Sequence, residues 1–210
     1  MNALKNKKRD VFRKKRQEIS GEKREIFSEK ICNNLSDIFR DNIQTTSSRY
    51  IALFAGTQEE PDLSGNSHGC SLLEKIPHQK FCFPKIEIQN TSEEIMNFYE
   101  VQKISDLEEG KFGIFEPRNF CKKISPEEIS IFCIPAIGID FSGNRIGMGG
   151  GFYDIYLSQI KSEMLKIGVV FSCQISETSF SEFSEDFDIP VDMIVSEEER
   201  VITPNYQKAL

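Results

Sequence analysis

Tryptophan is absent from the 210 residues, histidine occurs only twice, and no two cysteines form a CxxC pair. The six cysteines, at positions 32, 70, 82, 121, 133 and 173, therefore lack the spacing of a zinc site. Three of them sit in apolar runs, where a thiol behaves as a small core residue, so free thiols and no zinc are expected. No apolar run approaches the about 18 residues that a membrane span requires. The basic start MNALKNKKRDVFRKKR also lacks the apolar core of a secretory signal. The expected setting is cytoplasmic, away from membranes. A positive overall field is missing too: the net charge is −7 and the pI near 5.1. General nucleic-acid binding is therefore not expected, because nothing would draw in a phosphate backbone. Internal repeats and low-complexity tracts are likewise absent, and the length suits a single domain over 1–210 with a sizeable core.

What is present is an alternation of helical and strand patterns. Residues 5–19 are dense in Lys and Arg, with Leu4, Val11 and Phe12 set among them, which predicts an amphipathic helix with a basic face. That face is either plain solvated surface or a landing place for anions. Phe27, Ile31, Leu35 and Ile38 stripe one side of a second helix over 22–40. RYIALFAG (49–56), KFCFPKI (80–86) and NFYEV (97–101) read as strands. The connection 57–79 contains Gly65, His68, Gly69 and His78 and offers only Ser71–Ile76 as a turn or two of helix; neither histidine is assigned chemistry. IFCIP (131–135) and KIGVVFS (166–172) are near-continuous apolar runs, as in strands covered on both faces. Between them Phe152, Ile155, Tyr156 and Ile160 recur at helical spacing over 151–162. Strand, glycine loop, helix, strand is the order of a βαβ unit, so an α/β domain with a mostly parallel sheet flanked by helices is predicted.

The glycine loop is the stretch NRIGMGGGFYD (144–154). It is not a Walker loop, because no Lys followed by Ser or Thr closes it. The dinucleotide pattern starts at Gly147 and Gly149 but meets Phe152 where its third glycine belongs. Two readings stay open: a cup of bare N–H groups at a helix start, suited to phosphate with Arg145 adding charge, or a tight turn for close packing. Asp154, in the first turn of the helix, could cap it or hold Mg²⁺ beside a phosphate. In the acid-rich run SEDFDIPVDMIVSEE (184–198) most acids should be solvated, and Asp188, followed by a rigid Ile-Pro step, is best placed to return to the loop.

In order along the chain, FCFPK (81–85), GIFEP (113–117), IPAIGIDFSGNRIGMGGGFYD (134–154) and EDFDIPVD (185–192) resemble the 5-formyltetrahydrofolate cyclo-ligase family, also called methenyltetrahydrofolate synthetases. The segment 134–154 is the specific part. The resemblance implies a fold similar to the sugar-phosphate isomerase and CoA-transferase group (NagB/RpiA/CoA-transferase-like). It also implies a monomer that uses ATP and Mg²⁺ to convert 5-formyltetrahydrofolate into 5,10-methenyltetrahydrofolate, ADP and phosphate. By the same resemblance, Arg9 and Arg13 would reach the ATP phosphates, with Arg13 also near substrate. Arg145, Ile146, Gly147, Met148, Gly149, Gly150, Gly151, Phe152 and Tyr153 would form the nucleotide loop, and Asp154 and Asp188 would hold Mg²⁺. Glu60 would bind the pterin end of folate beside Ala55, with Met148 and Phe152 also facing substrate and Lys85 a weaker candidate for charge.

Two departures stand inside the loop: Met148 where many members carry Arg, and Phe152 where they carry Tyr. One charge and one hydroxyl are lost, although the Phe152 ring can still stack. Phe187 replaces a histidine near the second acid. These departures motivate a second hypothesis, a non-catalytic folate- or ATP-binding relative. A third is an ATP-dependent ligase or kinase acting on another small molecule.

Overall fold

Two helices come first, as the periodicities require: α1 over Ala3–Gln17 and α2 over Gly21–Thr46. The computed structural model describes residues 3–46, 49–65, 71–89, 93–110, 113–160 and 163–206. His68, Gly69 and Cys70, in the connection that the sequence left poorly defined, lie outside the described residues. After α2 come β1 (Tyr50–Ala52), the single turn α3 (Leu72–Lys75), β2 (Lys80–Gln89), β3 (Glu93–Val101), β4 (Leu107–Glu109), β5 (Phe115–Pro117) and β6 (Lys123–Ile124). The second half holds β7 (Ile129–Pro135), β8 (Gly138–Asp140), β9 (Arg145–Ile146), α4 (Phe152–Ser158), β10 (Leu165–Val169), β11 (Ile175–Ser176), β12 (Met193–Val195) and β13 (Arg200–Ile202).

Eight strands form the main sheet in the order β13-β12-β10-β7-β1-β2-β3-β6. Its five central strands run parallel, β12 through β2. Both flanks are antiparallel, so the expected mostly parallel sheet holds at the centre and gives way to antiparallel pairing at its edges. The expected βαβ unit is present: β7 and β10 are parallel neighbours, with α4 on the crossover between them.

Side chains alternate across the central strands and each set finds a helix. Ile131 and Cys133 of β7 pack with Ile31, Leu35 and Phe39 of α2 on one face. Phe132 and Ile134 pack with Tyr156 and Leu157 of α4 on the other. Burial on both faces is why these strands lack a polar alternation.

Several boundaries differ from expectation for local reasons. β1 stops at Ala52; the Leu53 N–H still donates to the Cys82 carbonyl of β2 at 2.9 Å, after which the chain leaves toward the loop carrying Glu60. β2 runs to Gln89 through Pro84, which lies beyond the last residue paired with β1, so its missing N–H removes no bond on that side. α4 is only seven residues long and leaves Ile155 59% exposed. Its buried positions are Tyr156 and Leu157, with Phe152, Tyr153 and Ile160 partly covered, so the expected stripe through Ile155 is wrong by one side-chain step.

Candidate functional site

The glycine loop is presented by a small hairpin. β8 and β9 pair antiparallel through Gly138↔Ile146 and Ile139↔Arg145. The fully buried Asp140 closes their turn: its Oδ1 accepts the N–H groups of Ser142 and Asn144, each at 2.9 Å. The chain then passes through Gly149 at φ 112° and Gly151 at φ 66°, left-handed values that residues with a Cβ rarely adopt. Among the described residues, no main-chain acceptor takes an N–H from positions 147–150, so these donors remain available. With so short a helix behind it, the loop depends on its own amides and on nearby cations more than on a helix dipole.

Three cations converge on this loop and its neighbourhood. Arg145 pairs with Asp154 through Nη2–Oδ1 at 2.7 Å and Nη1–Oδ2 at 3.4 Å, both side chains being largely buried. The Ile189 N–H also donates to Asp154, at 2.9 Å, so the segment carrying Asp188 lies directly against α4. Lys5 donates to Asp188 at 2.7 Å, and the N–H of Glu185 donates to the same oxygen. Arg9 donates from Nε to the Gly147 carbonyl at 2.9 Å. Its Nη2 would stand 3.9 Å from a Cβ at Gly149. Met148 is 60% exposed at the loop tip, and Phe187 is also exposed. The Phe152 ring folds over Gly150, where an added Cβ would lie 2.7 Å from it.

α1 delivers these contacts along one stripe. Its buried residues are Lys5, Arg9, Phe12 and Arg16, at successive spacings that keep one helical face inward. Phe12 is the apolar anchor, packed with Ile137, Ile146, Phe180 and Phe183. It rests so close to Gly138 that a Cβ there would lie 2.7 Å from its ring. Arg16 reaches the loop after β1, donating to Glu60 Oε1 at 3.2 Å and Glu59 Oε2 at 3.1 Å. The Thr57 N–H holds the other Glu60 oxygen at 3.0 Å. Glu60 also lines a cleft of about 570 Å³ with Gly56, Thr57, Asp62, Arg24 and Phe115. Burial first, then the Glu60 charge, push the Tyr153 phenol well up, with Arg145 opposing. The Tyr153 Oη has no partner among the described residues.

A family model of the 5-formyltetrahydrofolate cyclo-ligase family matches residues 2–197. The chain belongs to the 5-formyltetrahydrofolate cyclo-ligase family. It is 34% identical over 87 residues to the 5-formyltetrahydrofolate cyclo-ligase of Haemophilus influenzae, a match covering 40% of this chain and 45% of that protein. The Mycoplasma genitalium cyclo-ligase is 36% identical over 74 residues, covering 35% of this chain and 42% of that one. The chain thus spans under half the length of these curated relatives. Among solved structures, the 5,10-methenyltetrahydrofolate synthetase of Aquifex aeolicus superposes with a TM-score of 0.75 at 27% identity. That match covers 99% of this chain and 96% of the other. The synthetase of Mycoplasma pneumoniae gives 0.68 at 22% identity over 92% and 98% of the two chains, a likeness of fold.

Within this cyclo-ligase family member, the expected residues other than Glu60, Met148, Phe152 and Tyr153, placed above, fall into three groups. Arg9, Arg145, Gly147, Gly149, Gly150, Gly151, Asp154 and Asp188 are brought together by the contacts above. Ile146 and Ala55 are buried in apolar clusters, so a ligand could meet only their main chain. Arg13 is half-exposed and pairs with Asp10 at 3.6 Å, off the buried stripe, while Lys85 donates to Pro117 O and Asn119 Oδ1. Lys5 and Arg16 were missed, although their spacing from Arg9 and Phe12 carried the signal. Among the described residues no group of three metal-ligating side chains occurs. The two aspartates nonetheless offer oxygen donors suited to a hard cation that takes its remaining ligands from phosphate and water. Asp188 Oδ1 accepts no hydrogen bond from a described residue.

Proposed function

We propose that this chain performs the MgATP-dependent cyclisation of 5-formyltetrahydrofolate to 5,10-methenyltetrahydrofolate, releasing ADP and phosphate. The observation that carries the reading is the meeting of Arg9, Arg145, Asp154 and the Asp188 segment around an open glycine loop, in a chain of this family. The loop amides and Arg9 would grip the phosphates, Asp154 and Asp188 would hold Mg²⁺, and Glu60 would face the pterin from its cleft. Bound there, the ion would neutralise phosphate charge. The reading also includes a monomer of the NagB/RpiA/CoA-transferase-like fold, working in the cytoplasm as one domain.

The chemistry suits these parts. The formyl oxygen attacks the γ-phosphorus as the bond to ADP breaks, turning a poor leaving group into a good one. N10 then attacks the formyl carbon, the carbon–oxygen bond to phosphate breaks, and the N10 proton is lost to solvent. The substrate supplies both nucleophiles, so the chain's work is to position groups and balance charge. Incubation with 5-formyltetrahydrofolate, ATP and Mg²⁺ should produce the absorbance of the methenyl product; folded protein yielding none would reject the reading.

Met148 favours one alternative, a relative that binds ATP or folate without turnover. Its thioether stands exposed at the loop tip, where a charge would meet phosphate. In that case ligands bind, no chromophore forms, and Met148→Arg with Phe152→Tyr creates the activity.

A further inference from the structure

Arg16 is among the largest fully buried side chains of the protein, at 1% exposure, an unusual place for a guanidinium. It does not form a two-point pair with one acid. Its fork is split, Nη1 to Glu60 and Nη2 to Glu59, while Nε finds no acceptor among the described residues. Burial alone would raise the Glu59 carboxyl, but Gln17, Arg16 and Arg24 outweigh it and hold it below its ordinary value. Glu59 is the outer, partly exposed partner; Glu60 is the inner one.

The arrangement fixes Glu60 from behind. Arg16 takes one lone pair of Oε1 and the Thr57 N–H takes one of Oε2. A carboxylate has about four acceptor positions, so one on each oxygen is left for a ligand. Those positions suit two neighbouring N–H donors on a flat ring, the edge that an amino-substituted pyrimidine presents. A carboxylate free to rotate would meet such an edge in many orientations; one pinned at both oxygens is already oriented.

We infer that Arg16 is a positioning residue for the substrate: it holds Glu60 at the cleft so that both of its oxygens face the ring edge together. This inference rests on the folate reading of the cleft. A role limited to fastening α1 is the alternative, and Glu59 separates the two, because Glu59→Gln weakens the fastening while leaving the Glu60 contacts in place.

The experiment compares wild type, Arg16→Met, Glu59→Gln, Glu60→Gln and the Arg16→Met/Glu60→Gln double variant. Steady-state kinetics are measured for each substrate, together with calorimetric binding of 5-formyltetrahydrofolate. Arg16→Met should raise KM for 5-formyltetrahydrofolate about 10- to 100-fold, the scale of a misplaced contact. KM for ATP should stay within about two-fold, since a lost contact shows only in the constants of the substrate it touches. Glu59→Gln should leave both constants near wild type. The double variant should match Glu60→Gln alone, because the two side chains act as one unit. Unchanged folate KM in Arg16→Met, equal losses for both substrates, or additive losses in the double variant would each overturn the inference. Should Arg16→Met not fold, Arg16→Lys is measured instead: an ammonium is a single point charge that cannot split between two acids. A several-fold rise in folate KM is then expected, and an unchanged value overturns the inference. Wild-type protein that binds 5-formyltetrahydrofolate, with Arg16→Met binding equally well, removes this inference alone. Wild-type protein that neither binds nor converts it removes the functional reading as well.

Discussion

On the proposed function Asp154 has two separable duties, pairing with Arg145 and holding Mg²⁺, and replacing it divides them. With side chains 7% and 13% exposed, Arg145 and Asp154 form a nearly dry ion pair that also receives the Ile189 N–H. Asp154→Ala leaves a largely buried guanidinium and a part-buried amide without acceptors, a loss of about 3–5 kcal/mol by comparison with other broken buried pairs. For a domain near 200 residues each kcal/mol moves the melting temperature by about 2–4 °C, so a fall of roughly 6–20 °C is expected. The double replacement Arg145→Met/Asp154→Leu removes both charges together and should recover most of that loss, as exchanges for apolar residues often do. It should not recover Mg²⁺-dependent turnover, because the oxygen proposed above to hold the ion is still missing. Thermal melts followed by circular dichroism, with and without MgATP, read both quantities. If Asp154→Ala lowers stability by less than about 1 kcal/mol, the pair behaves as an exposed one and the reasoning from burial is wrong.

Three further outcomes follow from the same contacts. Gly138→Ala puts a methyl 2.7 Å from the Phe12 ring, so α1 must shift. Stability should fall by about 1–3 kcal/mol, and KM for ATP should rise as Arg9 loses its grip on Gly147, read by denaturant melts and kinetics. Met148→Arg adds a cation at an exposed loop tip, so KM for ATP should drop several-fold while the melting temperature stays unchanged. Burial alone would raise Glu59 and Glu87, but hydrogen bonds from Gln17 and Arg16 to the first, and from Tyr99 and Asn97 to the second, leave both lowered. Groups held down in the folded state stabilise it fully above their unfolded value of about 4.3 and lose that contribution as pH falls through the folded values. Urea midpoints should therefore be flat near neutrality and decline below about pH 4.3; a decline already complete at pH 6 would contradict these two contacts.

Periodicity located the long elements well, because α2 and β7 bury continuous patterns that leave a clear trace. Ile31, Leu35 and Ile38 are all buried where the spacing put them. The two-residue strands β6, β9 and β11 left none, since two residues cannot show a period, and β6 and β11 also pair with segments distant in sequence. β12 appeared only as the apolar run MIV, and the reversal of β13 against it is a property of the turn between them. The glycine loop was legible because positive φ demands a residue type that can be counted. The neutralisation of both aspartates was not: Arg145 and Lys5 meet them through tertiary contacts that no local spacing encodes. Arg16 was overlooked for a different reason. A buried arginine looks, in a lysine-rich segment, like one more solvated charge.

The bond between Lys5 and Asp188 joins positions 183 residues apart. At translation speeds of about 5–20 residues per second, residue 5 emerges roughly 10–40 s before its acceptor does. Arg9 waits through 138 residues for Gly147, and Phe12 for Ile137, Ile146 and Phe180, whereas Arg16 meets Glu60 after 44. During synthesis α1 is therefore held first through Arg16, and a nascent chain halted before residue 130 would carry Arg9 and Phe12 with their partners Gly147, Ile137 and Phe180 still unmade.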